Sequence, residues 1–158
     1  MHMRTYLRVG ISILACFGAG FLGMLFVSSG VGSWYDLLNK PWFNPPSWTF
    51  GIVWTALYAF MAAALTIVWN NDPHAKEMSG WVPLFFVHLL LNTAWTIFFF
   101  GYHAIFIALI DIFLLASCVI LLTFGARDID KRAFYFMLPY LAWVLFAMLL
   151  NICIWYLN

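Results

Sequence analysis

The sequence predicts an all-α integral membrane protein, a five-transmembrane-helix bundle that forms a single domain over residues 1–158. Two observations support this fold class. Of the 158 residues, 66% are hydrophobic and only 8% are charged, whereas a soluble domain carries about 25% charged residues. Five apolar runs also reach the roughly 20 residues that a helix needs to cross a bilayer. They cover about 9–29, 48–69, 81–100, 104–124 and 133–157.

The first run follows Arg4 and Arg8, as the core of a signal peptide would. Its apolar stretch is longer than the roughly 7–15 residues of such a core, so we expect a retained helix. Ala15, Ala19 and Gly23 form a ridge of small residues that lets another helix approach closely. The ridge serves either packing inside the bundle or a homodimer seam.

The connection between the first two runs is rich in aromatic residues and proline. Residues 34–58 read WYDLLNKPWFNPPSWTFGIVWTALY. Pro41 and the Pro45-Pro46 pair fix the backbone and forbid a continuous helix. Because a rigid loop holds its side chains in place at little entropic cost, we expect a built aromatic surface here.

Lysine and arginine are distributed unequally between the two ends of an up-down bundle. One end holds only Lys40, and the end with the N-terminus holds Arg4, Arg8, Lys76, Arg127, Lys131 and Arg132. The positive-inside rule therefore predicts a cytoplasmic N-terminus, with the first loop and the C-terminus outside. We expect the membrane to be a bacterial one. The net charge of +1 says nothing about nucleic acid, and no basic patch suggests it as a partner, so we expect none. The expected surroundings are the lipid bilayer.

Asp111 is the only carboxylate inside a predicted span. A charge there costs roughly 2.5–3.5 kcal/mol on insertion scales, so the side chain should face the interior with a partner or be protonated. It serves either as a hydrogen-bond anchor between helices or as a ligand contact or proton relay.

Two helix faces combine tryptophan with asparagine in the outer half of the bundle. Asn92 and Trp95 share a face of the third span, and Trp143, Ala147 and Asn151 share one of the fifth. The amides either tie helices together, at about 0.6 kcal/mol each, or line a pocket together with the indoles.

His88 lies four residues before Asn92 and would face the same cavity, although a lone histidine is more often a packed residue. No two histidines have metal-ligand spacing. The three cysteines match no metal motif, and we find neither a phosphate-binding loop nor a Ser/His/Asp set. We therefore expect no metal and no cofactor, and the catalytic residues, if the protein is an enzyme, are unknown from these patterns.

Short motifs in chain order link all of these regions. They are Trp34-Tyr35, Lys40-Pro41, Trp42, Pro45-Pro46, Trp48, Trp54 with Tyr58, Leu91-Asn92, Ala94-Trp95, Phe99-Phe100-Gly101, Ala108-Leu109 with Asp111, Pro139-Tyr140-Leu141-Ala142-Trp143 and Leu150-Asn151. With these motifs the chain resembles, over nearly its whole length, the TspO/MBR family of tryptophan-rich sensory and translocator proteins.

The resemblance implies a five-helix bundle, often a homodimer, whose outer-half pocket is closed by the first loop. Family members bind porphyrins such as protoporphyrin IX, and some bind sterols and other apolar small molecules. Carried over by position, the pocket would be lined by Trp54, Tyr58, Asn92, Trp95, Trp143, Ala147 and Asn151, with Tyr35 and Pro45 in the lid. The chain departs from the family at His88, where some relatives have Gln, and we expect this residue to add a titratable group to the same ligand-binding set.

Three functions remain to be compared. The first is a membrane receptor or carrier for porphyrins in tetrapyrrole handling or stress sensing. The second is an enzyme that degrades porphyrin in light, with Trp54 and Trp143 as candidate catalytic residues. The third is a structural membrane protein without a ligand. Sterol binding should be weak, because the chain ends Trp155-Tyr156-Leu157-Asn158, without the basic residue of the sterol motif.

Overall fold

The computed structural model describes residues 2–30, 34–71 and 76–158, with side chains described for 5–27, 34–71 and 80–158. Within these residues there is no β-strand, and five helices are long and apolar enough to cross a membrane. The predicted all-α membrane bundle is therefore confirmed. The helices are α1 (His2–Gly30), α2 (Trp34–Leu37), α3 (Ser47–Asn70), α4 (Lys76–Thr96, continued by a π-helical turn at Ile97–Gly101), α5 (Ile105–Ile129) and α6 (Lys131–Leu157).

Several helices run beyond the apolar stretches that predicted them. The run expected to end near residue 124 continues as α5 to Ile129, because an apolar run marks only the part of a helix that suits the hydrocarbon core. Asp130 then starts α6 by accepting the backbone N–H of Arg132 at 2.8 Å. Hydrogen bonds from the Arg132 side chain hold the pKa of the Asp130 carboxyl below its ordinary value.

The five long helices form a ring in the order α1, α3, α6, α5, α4 and back to α1. Fully buried side chains such as Met61, Phe85 and Tyr140 fill its centre, while Phe113 and Leu121 of α5 are exposed at the outside. Lipid tails are as apolar as these outward residues, so close packing and hydrogen bonds between helices, rather than burial from water, hold the ring together.

The small-residue ridge on α1 is used inside the bundle, which is one of the two uses predicted for it. A Cβ added at Gly23 would lie 3.4 Å from Oγ1 of Thr96. The hydroxyl of Thr93 donates to the carbonyl of Ala19 at 3.4 Å. This face of α1 therefore packs against α4 and is not available as a homodimer seam.

Residues 34–46, which we call the lid, cover one end of the ring. Trp34 stacks on His103, in the turn between α4 and α5, with ring centroids 4.2 Å apart and an interplanar angle of 11°. His103 holds a positive φ of 54°. Tyr35 is buried and packs against the rings of Phe99 and Phe100. The predicted aromatic surface is thus docked on the π-helical turn of α4.

Hydrogen bonds fix the rest of the lid. The Tyr35 hydroxyl donates to Oδ1 of Asn44 at 3.0 Å, and burial raises the pKa of this hydroxyl above its ordinary value. The Lys40 ammonium donates to the Tyr35 carbonyl at 2.5 Å and lies 4.5 Å from the Tyr35 ring centroid. Asn39 is bonded to Asn158 at the end of α6. The lid is therefore tied both to itself and to the bundle.

Candidate ligand pocket

A cavity of about 630 Å³ lies between α1, α3 and the lid-side end of α4. This volume is within the range of about 300–1,000 Å³ for small-molecule sites. Most of its lining is apolar or aromatic. The lining residues are Phe17, Gly20, Phe21, Gly23, Met24 and Val27 of α1, Tyr35 of the lid, Ser47, Trp48, Phe50, Gly51, Trp54, Thr55 and Tyr58 of α3, and Trp95, Thr96 and Phe100 of α4 and its π-helical turn.

Four of the residues predicted to bind ligand line this cavity, namely Tyr35, Trp54, Tyr58 and Trp95. They come from the lid and two helices, and all four contribute aromatic rings to its wall. Trp54 lies against Tyr58 with ring centroids 5.5 Å apart. Since aromatic faces suit flat apolar molecules, this wall can hold a planar ligand.

Asn92 lies behind the wall and fixes one of its rings. The Tyr58 hydroxyl donates to Oδ1 of Asn92 at 2.9 Å, and Nδ2 of Asn92 donates to the Tyr140 hydroxyl at 3.1 Å. Asn92 is buried. Its amide thus links α3, α4 and α6 and fixes the position of Tyr58 in the cavity wall.

Asn151 does the same for Trp95. The Trp95 indole N–H donates to Oδ1 of Asn151 at 3.0 Å, and Nδ2 of Asn151 donates to the Ile105 carbonyl at 3.2 Å. One face of the Trp95 indole stacks on the Phe99 ring, with ring centroids 5.3 Å apart. The orientation of the Trp95 ring is therefore set by α6 and by the π-helical turn.

Trp143 and Ala147 of α6 do not line the cavity. Trp143 packs edge-on against Phe50, a lining residue, with ring centroids 5.8 Å apart. Its indole N–H is buried and has no hydrogen-bond partner among the described residues. Trp143 is thus one ring removed from the cavity. Ala147 is buried inside the bundle.

The structure places the other two predicted ligand contacts, Pro45 and His88, outside the lining as well. The Pro45 carbonyl accepts a hydrogen bond from Nδ2 of Asn44 inside the lid, at 3.1 Å. His88 is fully buried deeper in the bundle, where its Nε2 lies 3.5 Å from Sδ of Met61.

Asp111 faces the bundle interior, as predicted, with only 6% of its surface exposed. Its Oδ2 atom has no hydrogen-bond partner within the described part of the chain. The residue lies on α5, which contributes no described residue to the cavity lining. The candidate pocket therefore contains no carboxylate from a span.

The contribution of α1 was missed by sequence reasoning, although a signal for it exists. A Cβ added at Gly20 would lie 2.4 Å from Cε2 of Tyr58, so only glycine lets this ring lie where it does. Phe17 also packs against Tyr58, with ring centroids 6.2 Å apart. The small residues of α1 indicate not only helix packing but also the place where an aromatic wall residue needs room.

The polar groups of the lining divide into satisfied and free donors. The hydroxyls of Thr55 and Thr96 donate to carbonyls of their own helices at 2.8 and 3.2 Å. Within the described residues, the side chains of Ser47, Trp48 and Trp54 make no hydrogen bond with protein, and all three belong to the lid-side half of α3. The cavity therefore offers apolar faces, with free donors near one end.

Comparison with known proteins places these features in a family. The sequence profile of the TspO/MBR family matches residues 12–157. The Tryptophan-rich protein TspO of Archaeoglobus fulgidus is 40% identical over 156 residues, covering 96% of this chain and 97% of that protein. The human Translocator protein is 35% identical over 142 residues, covering 85% and 80%. Protein CrtK of Rhodobacter capsulatus is 31% identical over 157 residues, covering 94% and 91%.

Proposed function

This chain belongs to the TspO/MBR family, and from that premise we propose that it is a membrane receptor or carrier that binds protoporphyrin IX-type tetrapyrroles in the cavity beneath the lid. Its relatives, which carry the names Tryptophan-rich protein TspO and Translocator protein, support a receptor or sensor role in the membrane. We further propose that its ligand is a tetrapyrrole and that the protein acts in tetrapyrrole handling or stress sensing.

The observation that carries this proposal is the aromatic wall of a cavity of about 630 Å³. A porphyrin is a flat apolar ring with two propionates. The faces of Trp54 and Tyr58 suit such a ring, because aromatic stacking contributes about 0.5–1.5 kcal/mol beyond area burial. The propionates would be directed to the free donors of Ser47 and Trp48, near the lid.

Titration of protoporphyrin IX into the purified protein in lipid nanodiscs, followed by the shift of its Soret absorption, tests the proposal. We expect Trp54→Ala to weaken binding by about 1–2 kcal/mol, or 5–30-fold, from lost stacking and burial. Trp69→Ala is the matched control. Trp69 belongs to the same helix, but it lies at the end of α3 away from the lid, where it packs against Phe86 and does not line the cavity. Equal affinities for both variants would place the ligand elsewhere.

A second candidate function is light-dependent degradation of the bound porphyrin, with dioxygen as the oxidant. The position of Trp54 favours it, since this indole lines the cavity and lies beside Tyr58 and Tyr140, with ring centroids 5.5 and 6.3 Å away. Trp143 is shielded by Phe50 and would act only through it. Illumination of the porphyrin complex in air should then yield products with wild type and Trp143→Phe but not with Trp54→Phe.

The orientation in the membrane is also a proposal. Four cations with described side chains, Arg8, Arg127, Lys131 and Arg132, lie at the end of the bundle opposite the lid. The side chains of Arg4 and Lys76, which belong to the same predicted end, lie outside the described residues. The positive-inside rule supports a cytoplasmic location for this end and an external lid.

A further inference from the structure

We propose that the ligand reaches the cavity sideways, from the lipid between α1 and α3, rather than from water through the lid. The proposal rests on the proposed function only for its probe, protoporphyrin IX. Its structural basis is a second space on the outer surface of the bundle that runs into the cavity.

This second space, which we call the vestibule, is a groove of about 530 Å³ between α1 and α3. Three residues line both the vestibule and the cavity, so the two spaces meet there: Phe17, Gly51 and Thr55. The remaining vestibule residues are Ile52, Ala56 and Ala59. All three of these are exposed on the outside of α3, where a spanning helix contacts acyl chains.

The junction between vestibule and cavity is open at Gly51 and mostly apolar. A Cβ added at Gly51 would meet no atom within 4 Å. The Thr55 hydroxyl is already bonded to the Gly51 carbonyl at 2.8 Å, so it offers no free donor to passing molecules. Phe17 is 38% exposed and Ile52 is 64% exposed. A flat apolar molecule can therefore pass from lipid to cavity without leaving apolar surroundings.

Passage through the lid would be harder. Opening it would separate the Trp34–His103 stack and the hydrogen bonds between Asn39 and Asn158. It would also uncover the Tyr35 ring, which is only 4% exposed. An apolar ligand is moreover concentrated in the bilayer, because transfer from water into an apolar phase is favourable. Both effects favour the side route.

The test compares rates with affinities, because a route controls how fast a ligand arrives and leaves but not how tightly it is held. Ala56→Phe narrows the vestibule at a residue that does not line the cavity. We expect association and dissociation of protoporphyrin IX in nanodiscs, measured by stopped-flow, both to slow about tenfold, with Kd unchanged. Ala59→Phe serves as a second vestibule variant should the first fold poorly.

Two further variants separate the routes. Gly18→Phe adds the same ring to α1 at a residue that lines neither the vestibule nor the cavity, and a Cβ there would meet no atom within 4 Å. Both rates should therefore stay at the wild-type values. Asn158→Ala loosens the lid and should also leave them unchanged. Faster association in Asn158→Ala with no effect of Ala56→Phe or Ala59→Phe would overturn the side route alone. A changed Kd in the vestibule variants would also overturn the side route, because it would show that the groove is a binding site instead. Absence of protoporphyrin IX binding to the wild-type protein would contradict the proposed function itself.

Discussion

Asn39 and Asn158 face each other at the lid-side end of the bundle and exchange two hydrogen bonds. The backbone N–H of Asn39 donates to Oδ1 of Asn158, and Nδ2 of Asn158 donates back to the Asn39 carbonyl, both at 3.0 Å. The same Nδ2 also donates to the Ile154 carbonyl at 2.8 Å. The Asn158 side-chain amide thus pairs with both the backbone N–H and the backbone C=O of Asn39 and connects the lid to α6.

Asn158→Ala should therefore loosen the lid. Each lost hydrogen bond is worth about 1 kcal/mol net, so hydrogen exchange in residues 34–46 should accelerate while α6 stays protected. Asn70→Ala is the control, because Asn70 also donates to a carbonyl of its own helix, Thr66, but at the far end of α3. Unchanged exchange in the lid would show that the aromatic contacts alone hold it.

Asn151→Ala should lower stability by leaving the buried Trp95 indole N–H without an acceptor. An unsatisfied buried donor costs about 1–3 kcal/mol, which circular dichroism can follow as a lower midpoint of thermal unfolding. Trp95→Phe in the Asn151→Ala background removes the donor as well and should recover part of the loss. Additive effects of the two substitutions would argue that the 3.0 Å contact contributes nothing.

Gly20→Ala should weaken porphyrin binding by moving Tyr58. The added Cβ would lie 2.4 Å from Cε2 of this ring, and overpacking of this kind typically costs about 1–3 kcal/mol. Soret titration should show a lower affinity, and the Tyr58–Asn92 hydrogen bond should weaken with it. Gly18→Ala, on the same helix with no atom within 4 Å of its added Cβ, should bind like wild type.

Cysteine labelling tests the proposed orientation. Ser33, in the predicted aromatic loop, lies outside the described residues, so Trp42 of the lid, which is 95% exposed, is the better position. Trp42→Cys should react with an impermeant maleimide added to intact cells, once Cys16, Cys118 and Cys153 are replaced by Ala. Reaction only after lysis would reverse the orientation.

Sterol should compete poorly with porphyrin. Tyr156 is followed by Leu157 and Asn158, neither of which is basic, and the Asn158 side chain is hydrogen-bonded to Asn39 of the lid rather than free to bind a sterol hydroxyl. Cholesterol added to nanodiscs at concentrations similar to those of protoporphyrin IX should leave the Soret titration unchanged. Strong competition would show that the missing basic residue is not needed.

The sequence alone determined the five spans, because hydropathy and length are local properties that the bilayer thickness reads directly. The rigid aromatic lid could be predicted as well, because Pro41, Pro45 and Pro46 restrict the backbone locally. The resemblance of the chain to a family also predicted pocket residues. Four of them line the cavity in the structure, namely Tyr35, Trp54, Tyr58 and Trp95.

The tertiary structure decided which helices surround the cavity. Helical periodicity says that Asn92 and Trp95 share a face, but not that the Asn92 amide is used by Tyr58 and Tyr140, or that Trp95 is held by Asn151. These partners lie on other helices, and the order of helices in the ring is not encoded in the period of any one of them. Between α1 and α3, glycines such as Gly20 and Gly51 leave room for the cavity. Where α6 meets α3, Phe50 fills the space in front of Trp143.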